Sequence, residues 1–337
     1  MTIKDIARES GYAVSTVSRA LNNHPDVSRK AKEKIQKIVE ECGFVPNNNA
    51  KQLKQQQSQN IVIIVKGMFN LFFNNMIEEM QSAVSEAGYG VQLHYIDEDD
   101  NEVLAGAQLA RERKPRGIVF LGGNSQSFEK NFSDVHLPCV LVTFTSPELH
   151  FKNLSLVGID DQEAGRLAGE YLLKKGHRRI GVIGGNIKMS EISSLRYRGF
   201  CGALQSKGLQ HPPALYQTTS FNLAGAYRAM QALLASRPED PPTAVFCMSD
   251  IMAVGAIRAA RDAGLRVPED ISVLGFDGIE LGRYATPRIA TVRQPQKEMV
   301  RTAIQLLMQQ IERRREGQCS VLPIELVEGE SVAERLA

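Results

Sequence analysis

Val14, Ser15, Ser18, Arg19 and Asn22 share one face of a short helical stretch near the amino terminus, with Thr16 beside them. Hydroxyl, amide and guanidinium groups at this spacing are the donors and acceptors that read base edges in a DNA groove. An amphipathic helical hairpin with nothing to read carries the same hydrophobic pattern, so spacing alone leaves both readings open. A second set of groups stands where short apolar runs end. Asp160, Ser249, Asp250 and Asp277 each follow such a run, and Phe72 and Phe73 follow the first of them. Ligands of open α/β sheets bind beyond the carboxyl ends of the strands. Carboxylates there would accept the paired hydroxyls of a sugar, and a ring would cover its apolar face. Plainer roles remain open for them: Asp250 as the N-cap of a helix over Ile251 to Ala263, Phe72 and Phe73 as core.

The first set needs a compact helical scaffold. Ile3, Ile6 and Ala7 form one apolar stripe, Thr2 is placed to cap it with Asp5 as partner, and Gly11 supplies the turn. Val17, Ala20 and Leu21 bury the second helix. A third follows, with Ser28 as cap, Ala31, Ile35, Ile38, Val39 and Cys42 at helical spacing, and Gly43 closing it. Residues 1–46 are therefore expected as a three-helix headpiece and 47–60 as a linker. Within the linker, Asn48 to Leu53 is helical in pattern but too short to be stable alone.

The second set needs strands. From Ile61 onward short apolar runs alternate with helical stretches: Ile61 to Val65, Val91 to Ile96, Gly117 to Leu121, Cys139 to Thr143 and Ser155 to Ile159, then Ile180 to Ile183, Ala214 to Gln217, Ala244 to Met248 and Ile271 to Phe276. Such alternation predicts parallel sheets with crossover helices, and two series predict two α/β lobes of doubly wound type within residues 61–337.

Charge separates the two parts. The net charge is +2, but residues 1–60 carry 10 Lys and Arg against 6 Asp and Glu, leaving −2 for the remainder. The basic end is the one suited to nucleic acid. No GxGxxG follows a strand, and Walker, GxSxG and HExxH patterns are absent; Gly122-Gly123 and Gly184-Gly185 read as strand-to-helix turns. Six histidines keep no metal spacing and five cysteines form no CxxC pair, so neither a metal, a cofactor nor a disulfide frame is expected, and no enzyme class is indicated. The start MTIKDIARES has no apolar export segment, and no run of eighteen apolar residues follows, which predicts a cytoplasmic chain without a membrane span.

Residues 2 to 22, TIKDIARESGYAVSTVSRALN, resemble the helix-turn-helix of the LacI/GalR family, whose pattern T-I-x-D-I/V-A-x-x-A/S-G-V-S-x-S/A-T-V-S-R-x-L-N they follow almost unbroken. Tyr12 replaces the usual Val, and Ala13 replaces the Ser that would cap the second helix, at a cost of about 0.5–2 kcal/mol. The resemblance continues through KKGHRRIGVIGG, SLRYRGFCGAL, TAVFCMSDIMAVGAIRAARDAGLRVPEDISVLGFDG and PRIATVRQP. It implies a DNA-binding regulator, a repressor in most such proteins, that binds a near-palindromic operator as a homodimer. DNA contacts are then implied for Thr2, Val14, Ser15, Thr16, Ser18, Arg19, Asn22 and Asn47, with Ala50 and Leu53 in a hinge helix that enters the minor groove. It also implies a periplasmic-binding-protein-like core, crossing between lobes near 160, 289 and 320. Lobe one is then 61–159 with 290–320, and lobe two 161–288 with 321–337. A small effector, a sugar or sugar phosphate, would lie between the lobes on Arg196, Asp160, Ser249, Asp250 and Asp277, with Phe72, Phe73 and Phe221 as apolar surfaces. The rival reading, a solute-binding protein of transport type, shares the core but not the headpiece; control by a non-sugar metabolite or a protein co-regulator is a second alternative.

Overall fold

The change from helical to alternating periodicity at Ile61 divides the chain, whose computed structural model describes residues 3–21, 26–42, 59–67, 70–146, 148–236 and 239–335. Two units result, Met1–Ser58 and Gln59–Ala337. In the first, α1 (Ile3–Ser10), α2 (Val14–Leu21) and α3 (Arg29–Glu41) close on buried Ile6, Ala7, Val17 and Ile35. Gly11 turns the chain between α1 and α2 at φ +72°, a value a side chain resists. Ser28 caps α3 by accepting from the Ala31 amide at 3.3 Å. Thr2, Asn22, Gly43, Asn47, Ala50 and Leu53 lie outside the described residues, as does the whole Asn48 to Leu53 stretch.

The second unit is built on two six-stranded sheets. Sheet one has the order β11-β5-β4-β3-β1-β2, with β1 Asn60–Lys66, β2 Gly90–Ile96, β3 Gly117–Leu121, β4 Cys139–Val142, β5 Leu154–Gly158 and β11 Cys319–Val321, all parallel. Strands β1 and β3 read as unbroken apolar runs because helices cover both faces. Ile61, Ile63 and Val65 face α4 (Leu71–Glu86) and α12 (Gln296–Arg313); Val62 and Ile64 face α5 (Glu102–Arg113) and α6 (Ser125–Asn131).

Sheet two has the order β12-β10-β9-β8-β6-β7: β6 Ile180–Gly184, β7 Tyr216–Thr218, β8 Ala244–Cys247, β9 Ser272–Asp277, β10 Ala290–Arg293 and β12 Glu325–Val327, the last antiparallel to β10. Its helices are α7 (Asp161–Lys174), α8 (Glu191–Gln205), α9 (Leu223–Ser236), α10 (Asp250–Asp262) and the short α11 (Glu280–Tyr284).

Two expectations are corrected here. The second lobe crossing does not fall near 289: Ala290–Arg293 pairs parallel with Leu274–Asp277, because its buried Ala290 and Val292 complete sheet two, and the chain returns to lobe one only with α12. The seventh strand starts at Tyr216 rather than Ala214, since Pro213 opens a 3-10 turn over Pro213–Leu215. The carboxyl-terminal segment is packed: buried Ser331 donates to Val273 O at 2.6 Å and accepts from the Ala290 amide at 2.9 Å. Among the described residues, no helix is long and apolar enough to cross a membrane.

Candidate functional site

On the headpiece, burial of Val17 fixes which way α2 faces. Val14, Ser15 and Arg19 are exposed, while Thr16 and Ser18 are half-buried along the edges of that face. Ala13 offers only its carbonyl, which accepts from the Val17 amide at 3.0 Å. Arg19 is held by Asp26 across the loop to α3, through Nε to Oδ1 at 3.2 Å and a shorter second contact from Nη2 to Oδ2. Both side chains are about half exposed, so the pair is worth roughly 0–1 kcal/mol and a stronger acceptor can compete for the guanidinium.

In the core, the carboxyl ends of sheet two gather a second arginine. Arg196 projects from α8, and two glycines let it reach its partners: a Cβ on Gly165 would stand 1.9 Å from the Arg196 carbonyl, and one on Gly199 1.8 Å from the Gln162 carbonyl. Helices α7 and α8 therefore cross in backbone contact. Arg196 Nε then donates to Asp161 Oδ1 at 2.8 Å and Nη1 to Met248 O at 2.9 Å. Its guanidinium lies 3.7 Å from the centroid of Phe276, a cation–π distance. Beside it Asp277, at φ +99° on the last residue of β9, accepts from Gln294 Nε2 at 2.8 Å. Arg196, Asp161, Asp277 and Gln294 are all buried.

Burial sets the protonation of this cluster. It raises the Asp277 carboxyl to about 7, although Arg196 and Gln294 pull the other way. It raises Asp161 as well, against the attraction of Arg196. Asp250 is pushed up to about 8, by burial first and by the charge of Asp277 second.

Several expected contacts have other roles. The cap of α10 is Ser249, whose hydroxyl accepts from the Met252 amide at 3.2 Å; Asp250 is the first helical residue instead. The Asp250 carboxylate is fully buried and accepts from the Ile279 amide at 2.8 Å, tying the β9 exit loop to α10. Asp160 caps α7 by accepting from the Glu163 amide at 2.9 Å and stays exposed, while its neighbour Asp161, not singled out in the sequence, holds Arg196. Arg196 and Asp277 are thus neighbours but not an ion pair. Phe72 and Phe73 are core: both are buried, and Phe73 supports Gly122 in the turn after β3. Half-buried Phe221 lies against Gly185 in the turn after β6, where Tyr216 donates its hydroxyl to Gly185 O. His177 is a packing residue, bonded to Thr243 and the Ala333 carbonyl.

Sequence reasoning missed Asp161, Phe276 and Gln294, although the first sits in the doublet Asp160-Asp161 and the last in PRIATVRQP. It also missed where the lobes touch. Asn124 Nδ2 donates to Met189 O at 3.2 Å, and the Ser125 hydroxyl donates to Glu191 at the start of α8. The Asn124 amide is in turn held by buried Glu102 at 2.8 Å, which Lys66 at the end of β1 neutralises at 2.6 Å.

Comparison with known proteins agrees with this division. Residues 2–47 match the family described as bacterial regulatory proteins, lacI family, and residues 170–332 match the periplasmic binding protein-like domain. The chain is 38% identical over 341 residues to the HTH-type transcriptional regulator MalR of Clostridium butyricum, covering 98% of this chain and 99% of that one. It is 33% identical to the HTH-type transcriptional repressor CytR of Escherichia coli (strain K12), covering 95% and 93%. A solved complex of the transcriptional regulator CelR with cellobiose superposes with a TM-score of 0.71 at 27% identity, covering 98% of this chain and 99% of that one.

Proposed function

The chain belongs to the LacI family of bacterial regulatory proteins and is a DNA-binding transcriptional regulator, and from that premise we propose that it represses by binding an operator as a homodimer and is controlled by an uncharged sugar held between the two lobes. The observation that carries the effector reading is the buried arrangement of Arg196 on Phe276, braced by Asp161 and the Met248 carbonyl, with Asp277 alongside. Planar donors and carboxylate acceptors around an apolar surface suit vicinal hydroxyls. A phosphate suits them less, because Arg196 is already neutralised by Asp161 and Lys66 by Glu102. The similarity to the regulator solved with cellobiose supports the same class.

Control follows from the position of α8. Its first turn carries Glu191, which joins the lobes, and its second carries Arg196. A ligand that binds Arg196 and Asp277 more tightly in one lobe arrangement shifts the core toward it, and the linker passes that shift to the headpiece. There Val14, Ser15, Thr16, Ser18 and Arg19 would meet DNA, within a headpiece spanning 1–46. Pairing of two copies would cover Leu281 and Tyr284, exposed apolar side chains on α11. We take the chain to work in the cytoplasm by binding rather than catalysis, since the cleft carboxylates are committed to Arg196, Gln294 and the Ile279 amide.

A thermal-shift panel of neutral mono- and disaccharides, cellobiose included, against sugar phosphates tests the effector class. A ligand at about 100 times its Kd should stabilise the core by about 2.7 kcal/mol. Stabilisation by phosphates alone would sink the uncharged-sugar reading.

A further inference from the structure

The amino-terminal edge of sheet one carries a collar of cations that effector binding does not use. We propose that this collar is a second DNA-contacting surface, which holds the phosphate backbone of duplex flanking the segment read by the headpiece. This rests on the DNA-binding reading above and adds a contact surface to the core.

Helices α5 and α12 lie on opposite faces of sheet one, and both end at this edge. Lys114 at φ 47° stops α5 and Arg314 at φ 50° stops α12, each in the left-handed region. Arg111, Arg113 and Lys114 are thereby set on one face, and Arg313, Arg314 and Arg315 on the other, all exposed. The two ends bracket the point where the chain enters the core. Arg116 donates its amide to Asn60 O at 2.8 Å, Gly117 pairs with Ile61, and a Cβ on Gly117 would stand 3.3 Å from Ile311 Cδ1 in the last turns of α12.

Among the described residues none of the six cations is bound by a carboxylate. Their acidic neighbours are otherwise engaged in part: Glu316 pairs with Lys152 at 3.1 Å, and Glu112 accepts from Gln108 at 2.9 Å. The segment RERKPR, residues 111–116, carries four cations to one acid and ERRRE, residues 312–316, three to two, on a core whose net charge is negative. Cations in a last helical turn also complement the helix dipole, but that falls off within the turn, and here the run continues past both helix ends.

The kind of partner follows from chemistry and connectivity. Guanidinium groups bind phosphate oxygens in paired hydrogen bonds. The chain leading from the headpiece enters the core at this edge, so duplex bound by the headpiece is tethered to the molecule that carries the collar, and tethering raises the effective concentration of a second contact. Contacts of this kind add affinity and salt dependence without sequence preference.

The test uses the full chain and a random-sequence duplex of about 40 base pairs, titrated by fluorescence anisotropy at roughly 50 to 200 mM salt. With Arg113→Gln, Lys114→Gln, Arg314→Gln and Arg315→Gln combined, the slope of log K against log salt should become shallower by about two to four, and affinity at the lowest salt should fall at least about tenfold. The thermal midpoint should hold, and the corresponding Arg→Lys variants at 113, 314 and 315 should keep the wild-type slope. An unchanged slope in the fourfold variant, on duplex that the wild type binds, overturns the collar and leaves the headpiece reading standing. Failure of the wild type to bind any duplex overturns both.

Discussion

Two arginine–aspartate pairs, one on the headpiece and one in the core, are built oppositely. Arg19–Asp26 on the headpiece is half exposed, formed across a loop and cheap to exchange. Arg196–Asp161 in the core is buried on both sides and fixed by a carbonyl, a ring and a glycine-lined helix crossing. The difference suits the partners proposed for the two regions, DNA for the headpiece and an uncharged sugar for the core. A surface that must accept DNA in water needs side chains that can leave their resting partners, whereas a pocket that discriminates a small neutral ligand needs groups already desolvated and oriented.

The largest effect should come from the buried pair. Asp161→Ala strands a buried guanidinium and should cost about 3–5 kcal/mol in urea unfolding, together with loss of the ligand response. A cost under about 1 kcal/mol would place Arg196 in water and erase the contrast. Arg19→Ala should leave stability within about 0.5 kcal/mol but cost about 1–3 kcal/mol in operator binding and relax base preference. If specific and random DNA are bound in an unchanged ratio, Arg19 only anchors phosphate.

The buried carboxyls predict a pH dependence. Asp250 and Asp277 hold their protons more tightly in the folded than in the unfolded chain, with folded values of about 8 and about 7. Their contribution is therefore greatest near the unfolded carboxylate pKa of about 4 and declines as pH rises toward 8. Urea midpoints should fall from pH 6 to 8.5, and Asp250→Asn should flatten that fall; an equally steep fall in the variant would show that Asp250 is not its source. The smallest effect is expected for Asp26→Ala, which removes the Asp26 contact from Arg19. Binding should tighten by no more than about 1 kcal/mol in anisotropy titrations, and weaker binding would mean that Asp26 orients Arg19 rather than restrains it.

The headpiece was legible because helical spacing is local: Ile6, Ala7 and Val17 declare an apolar side within a few residues, so the exposure of Val14, Ser15 and Arg19 follows from position. The alternation of strands and helices was legible for the same reason, since buried parallel strands need continuous apolar runs. The sequence by itself thus determined the helical headpiece, the two α/β lobes and the families of side chains at strand ends. Which member of each set is buried and paired was decided by tertiary structure alone. Asp160 and Asp161 are adjacent and chemically identical, yet one caps α7 in solvent and the other is buried on Arg196. Ser249 took the cap expected of Asp250, and Ala290–Arg293 joined sheet two rather than lobe one. Burial, charge pairing and the close approach of α7 and α8 depend on residues dozens of positions apart, and such distances enter the energy only once the chain has folded.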